Sequence, residues 1–183
     1  MLRLLNRSRP TRRLFALRAA RRLARKQDGS AAVEFGLIAG PFILLMFSIM
    51  ETAFVFFAGQ SLETAVADTG RLIMTGQAQN QGFDQTAFKN AVCAKTMGLF
   101  DCNKVTVDVQ KYGTFGAINL APPLDADGKL IDNQNYQPGG PGEIVVVRLY
   151  YQWPIYVAML QNMSGNSRLL IATSAFRNEP YGN

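Results

Sequence analysis

Few residues in this 183-residue chain could do chemistry. The first is Glu34, in DGSAAVEFGLIAGPFILLMFSIME, the only charge between Ser30 and Met50. At the centre of a membrane helix an acidic residue costs roughly 2.5 to 3.5 kcal/mol on insertion scales, so it needs a partner or a function. A helix-cap or interfacial glutamate is the plainer alternative. The second group is Cys93 and Cys102, whose spacing is not that of a CxxC redox or zinc motif. In an oxidising compartment they most simply form one disulfide, and unpaired buried thiols are the alternative. The third is Asp125, Asp127, Gly128 and Asp132 in DADGKLID, a fragment of a calcium-loop pattern that lacks its third alternating ligand and a closing glutamate. A glycine turn with solvating acids explains it better, and no metal is assigned. Histidine is absent, which removes Ser/His/Asp and Cys/His catalysis and every histidine-ligated metal. Without a nucleophile and base pair, a metal cluster or a phosphate loop, the chain reads as a non-enzyme without cofactors.

Charge and hydropathy show what must position Glu34. Residues 1 to 28 hold ten Arg or Lys and one acid, a net +9, while the remainder carries −3. A basic segment followed at once by an apolar one is the arrangement of the positive-inside rule: arginines in the cytosol, helix through the membrane, C-terminal part outside. About 20 residues at 1.5 Å each cover the roughly 30 Å hydrocarbon layer, so one crossing fits. Residues 1 to 29 are then a basic cytosolic leader, 30 to 58 a transmembrane helix, 59 to 78 its amphipathic continuation, and 79 to 183 an outer domain. Pro41 lies inside the span, where a packing kink is tolerated. Glu51 lies about 25 Å along the helix from Glu34, where its carboxylate reaches the outer interface.

In the continuation, Leu62, Ala65, Val66, Thr69, Leu72, Ile73 and Gly76 recur at heptad-like spacing, with Glu63, Asp68 and Arg71 on the other side. TAFKNAVCAKTMGLF predicts a helix offering Phe88, Val92, Met97 and Leu99 to a core. Lys104 to Tyr112 alternates as a strand with Val105, Val107 and Val109 on one face. Residues 113 to 142 are rich in Gly, Pro, Asn and Asp and predict a long loop with a small hairpin at Asp127-Gly128, serving as variable decoration or a contact surface. Glu143 to Trp153 predicts a strand ended by Pro154, YVAMLQNM a short helix, and Ser167 to about Asn178 a final strand. The fold class is therefore α+β: a long N-terminal helix packed on the one face of a small antiparallel sheet that needs cover. Tyr150, Tyr151, Trp153, Tyr156 and Phe176 read as core and rim of that domain, since alternate strand positions point inward.

A basic leader ending in glycine, a glutamate followed by an aromatic, and an apolar helix feeding a small α+β domain resemble a type IV pilin or pseudopilin. The blocks AVCAKTMGLFDCNKVTVDVQ, YQPGGPGEIVVVRLYYQWPI and RLLIATSAFRNEPY are similar to TadE-like minor pseudopilins of tight-adherence (Tad/Flp, type IVb) pilus systems. The resemblance implies cleavage by a prepilin peptidase after Gly29, making Ser30 the first mature residue, with Glu34 and Phe35 completing the motif. The new α-ammonium on Ser30 would pair with Glu34 of the same or a neighbouring subunit in an apolar setting where each alone is costly. Gly29, lacking a side chain, would let the peptidase approach the backbone. The implied partners are inner-membrane lipid, the peptidase, other pilins and pseudopilins, and the Tad platform, with no nucleic acid. The implied place is a bacterial inner membrane, N-terminus cytoplasmic and C-terminal domain periplasmic, with incorporation in a surface pilus a further option. At 29 residues the leader is longer than usual for a prepilin, which keeps open an unprocessed single-pass component of the same machine. A mitochondrial-type inner-membrane protein and a membrane-anchored enzyme are the weaker alternatives. For Arg177 to Tyr181, which match the family's ending, the sequence offers no chemical role.

Overall fold

In the computed structural model, which describes residues 29–96, 98–131 and 135–181, helix α1 runs over Ser30–Met74 and continues through Pro41. The chain forms two compact units, dividing between Phe47 and Ser48. In the second unit α1 buries Ala58, Leu62, Ala65, Val66, Thr69, Gly70 and Ile73, a stripe at helical period. Glu63, Asp68 and Arg71 are exposed on the other side. Thr69 satisfies its hydroxyl by donating to the carbonyl of Ala65 at 2.7 Å. Gly70 permits a close approach: a Cβ there would lie 3.0 Å from the Phe176 ring. Residues 1–28 of the leader, Met97 and Asp132 lie outside the described residues.

After α1 come a single turn, α2 (Gln77–Asn80), and α3 (Gln85–Lys95). Asp84 caps α3 by accepting the amide of Ala87 at 2.7 Å, which is why the helix starts at Gln85. Lys95 meets Asp68 at 3.5 Å, so this exposed acid is paired across to α3. Three strands, β1 (Thr106–Tyr112), β2 (Ile144–Pro154) and β3 (Ser167–Arg177), form an antiparallel sheet in the order β1-β2-β3. Helix α4 (Ala158–Ser164) connects β2 to β3. The first strand starts two residues later than its alternation predicts, because a turn over Cys102–Lys104, capped by Asp101, holds that stretch out of the ladder. Val105 is buried all the same.

The sheet has two covered faces, where the sequence pattern suggested one. Val107, Val109, Val145, Val147, Leu149, Tyr151, Leu170 and Ala172 join the α1 stripe, Phe88, Val92 and Phe100 in the main core. Phe100 packs edge-on to Tyr151 and Trp153, at centroid distances of 4.9 and 5.9 Å. On the opposite parity Asp108 and Arg148 are direct cross-strand partners, both buried, with Arg148 Nη2 2.6 Å from Asp108 Oδ2. Arg148 Nη1 donates to the carbonyl of Asn119 at 2.5 Å, and Gln110 Nε2 donates to Asp108 Oδ1 at 2.8 Å. The described parts of the residue-113-to-142 segment thus form a lid over part of the sheet. It also adds to the β1 edge: the amide of Val109 donates to Asn135 O at 2.9 Å, and that of Gln137 to Val109 O at 2.8 Å. Its predicted small hairpin is present as a bridge between Leu124 and Leu130, with Asp125 Oδ1 accepting the amides of Asp127 and Lys129. That acid is engaged in holding a turn.

The ending that carried no chemistry has a structural task. Asn178 Nδ2 donates to the carbonyls of Pro138 and Gly140, each at 3.0 Å, and the amide of Glu179 donates to Met74 O at 2.8 Å, closing the end of α1. Tyr181 lies against Gly76, whose φ of 75° and whose missing Cβ, which would fall 2.4 Å from the ring, both require glycine. Glu143 accepts the amide of Gly140 at 2.7 Å, and this bond, with Lys111, holds its carboxyl below the usual range. Its contribution is present above the unfolded pKa of a glutamate and is lost as pH falls through the lower folded value.

Cys93 on α3 is bonded to Cys102 at the entrance to β1, with Cα atoms 6.0 Å apart. The Cys93→Ser/Cys102→Ser variant is expected to lose about 2 to 3 kcal/mol on the loop-entropy account. Urea unfolding in detergent would read this as a lower midpoint with native-like structure retained below it.

Candidate processing and assembly site

Gly29 leads directly into α1, and Ser30 is its first residue. One turn on, Glu34 accepts the Ser30 hydroxyl at 3.0 Å. The i, i+4 relation that a helix imposes therefore brings the Ser30 and Glu34 side chains together. Glu34 lies beyond the first turn, which contains no acidic residue, so it is poorly placed to act on the helix's leading amides. Phe35 is 75 % exposed, and its neighbours Val33, Leu37 and Ile38 are also exposed. A Cβ added at Gly29 would meet nothing within 4 Å, so the fold itself makes no demand for glycine there. Of the described helices, α1 is long and apolar enough to cross a membrane, with a mean hydropathy of 2.0 in its best window.

In the second unit the sequence understated Glu51. Its Oε1 accepts the amide of Tyr156 in a short hydrogen bond, and its Oε2 accepts that of Val157 at 2.8 Å. The carboxylate thus fastens the connection between β2 and α4 to α1. Nothing in local spacing reveals a pairing across 105 positions. Nearby, a groove of about 330 Å³ is lined by Thr52, Val55, Phe56, Ile155, Leu160 and Leu170, with Glu63 and Arg168 at its polar side. Among the described residues no three His, Cys, Asp or Glu side chains cluster as metal ligands would.

The family model described as TadE-like protein matches residues 29–71, beginning at Gly29 and ending within α1. No curated protein and no solved structure matches the chain.

Proposed function

We propose that this TadE-like chain, a Tad pilus-associated protein by its family, acts as a minor pseudopilin: a prepilin peptidase removes the leader after Gly29, and the mature helix packs with those of other subunits. The observation that supports this most is the contact between Ser30 and Glu34 at the start of an exposed apolar helix. Cleavage would add an α-ammonium beside the Ser30 hydroxyl, so that the carboxylate that accepts the hydroxyl would gain an opposite charge at the same residue. In hydrocarbon, neither charge is cheap alone. Paired with Glu34 of a neighbouring subunit, the new terminus would set the register of helix packing, because a helix slid by one turn would separate the two charges.

In this reading the unprocessed chain waits in a bacterial inner membrane with the leader in the cytoplasm and the residue 79-to-183 domain in the periplasm. Its partners are lipid, the peptidase, other pilins and pseudopilins, and the Tad platform. Function lies in interaction, not catalysis.

Glu34→Ala tests it. Leader removal is expected to persist, while truncating one member of a desolvated charge pair costs roughly 2 to 5 kcal/mol, a loss of about thirtyfold or more in assembly competence. Counting surface filaments in a strain carrying only this variant reads the effect. Wild-type filament numbers would overturn the register role.

A further inference from the structure

We infer that the turn before α4 and the exposed face of α4 form a foot that rests on the lipid surface, in the headgroup layer at the outer end of the span. The inference rests on the membrane-anchored reading above and deepens it. Glu51 is the first charge after Glu34, so by sequence it marks where α1 meets the polar layer. Its two carboxylate oxygens hold the backbone of Tyr156 and Val157, which fixes the foot at that level.

What the foot displays suits that layer. Tyr156 is 76 % exposed, Met159 53 % and Met163 77 %. The two methionines are four residues apart and share one helix face, while Leu160, turned away from them, lines the groove against α1. A helix of seven residues has little stability of its own in water, and an apolar outer face adds nothing to it there. At the boundary of headgroups and acyl chains the same methionines are buried, and tyrosine finds both an apolar body's and a hydroxyl's surroundings. Phe54, one turn beyond Glu51 on α1, is 55 % exposed and extends the apolar belt near this depth. Arg168, exposed beside the groove, supplies a cation for lipid phosphate.

The test uses the full chain in phosphatidylcholine/phosphatidylglycerol vesicles, with its disulfide intact and a fluorophore on single introduced cysteines: Met159→Cys, Met163→Cys, Leu120→Cys in the lid, and Leu45→Cys in the span. Nitroxide lipids labelled at the headgroup or near the acyl terminus are the quenchers. The foot predicts that headgroup nitroxides remove most of the emission at 159 and 163 and little at 120. Equal, weak quenching at 159, 163 and 120 overturns it, as does blue-shifted but unquenched emission at 159, which would mean burial against a second copy. The control separates the two claims: loss of deep quenching at 45 would refute the anchor itself, whereas quenching at 45 without quenching at 159 and 163 refutes only the foot.

Discussion

If a prepilin peptidase cuts after Gly29 as proposed, a chain carrying Gly29→Phe is expected to keep its leader. The expected fall in cleavage is roughly a hundredfold, because displacing a scissile bond by an ångström from its productive geometry costs about that much. What makes the substitution informative is that it is free elsewhere: a Cβ at Gly29 meets nothing within 4 Å, and the nearest designed contact, between Ser30 and Glu34, is one step further on. Folding and membrane insertion should therefore be unchanged, and the accumulated species should be the full-length chain at wild-type abundance. Immunoblotting of membranes for the two lengths, with urea unfolding as control, separates the outcomes. Wild-type processing of the variant would mean that glycine at this position serves something other than access to the backbone.

The largest stability effect is expected at Arg148. This guanidinium, 5 % exposed, bridges Asp108 on β1 and the carbonyl of Asn119 in the lid. Arg148→Met keeps the apolar bulk but leaves Asp108, 1 % exposed, with the Gln110 amide as its one side-chain donor among the described residues. Breaking a buried pair on one side typically costs about 3 to 5 kcal/mol, a large part of a domain's stability. The double variant Asp108→Val/Arg148→Met removes the stranded charge and is expected to recover much of the loss, since apolar replacements of buried pairs are often close to neutral. Urea midpoints of the two variants in detergent decide the matter. If the single and double variants were equally impaired, the role of Arg148 would be packing of the lid and not compensation of a buried carboxylate.

The elements themselves were legible because their periods are local. Apolar residues at helical spacing from Leu62 to Ile73 identified the buried stripe of α1, and alternation at Val105, Val107 and Val109 identified the inward face of β1. Helix α4 was legible too, although its fastening was not. The sheet's second covered face escaped because its cover is a segment of Gly, Pro, Asn and Asp that reads as solvent-exposed loop. The signal was present in Arg148, the sole charge of β2, and in Asp108, each sitting opposite to the core parity. Strand register, which pairs them, is not visible in either segment alone. Glu51 and Asn178 escaped for the same reason: each satisfies backbone groups far away in the chain, and hydrogen bonds of that kind leave no periodic trace. At the candidate site the reverse holds. Gly29, Ser30, Glu34 and Phe35 lie within two helical turns, so a helix alone sets the contact between Ser30 and Glu34.

Processing at Gly29 is the claim on which the pseudopilin reading turns, and N-terminal mass spectrometry of the protein from its own membranes tests it most directly, in strains with and without the prepilin peptidase. The account predicts a mature chain starting at Ser30 in the first strain and an intact leader in the second. An intact leader in both, or a start within the leader away from Gly29, would contradict it and leave Glu34 with another purpose.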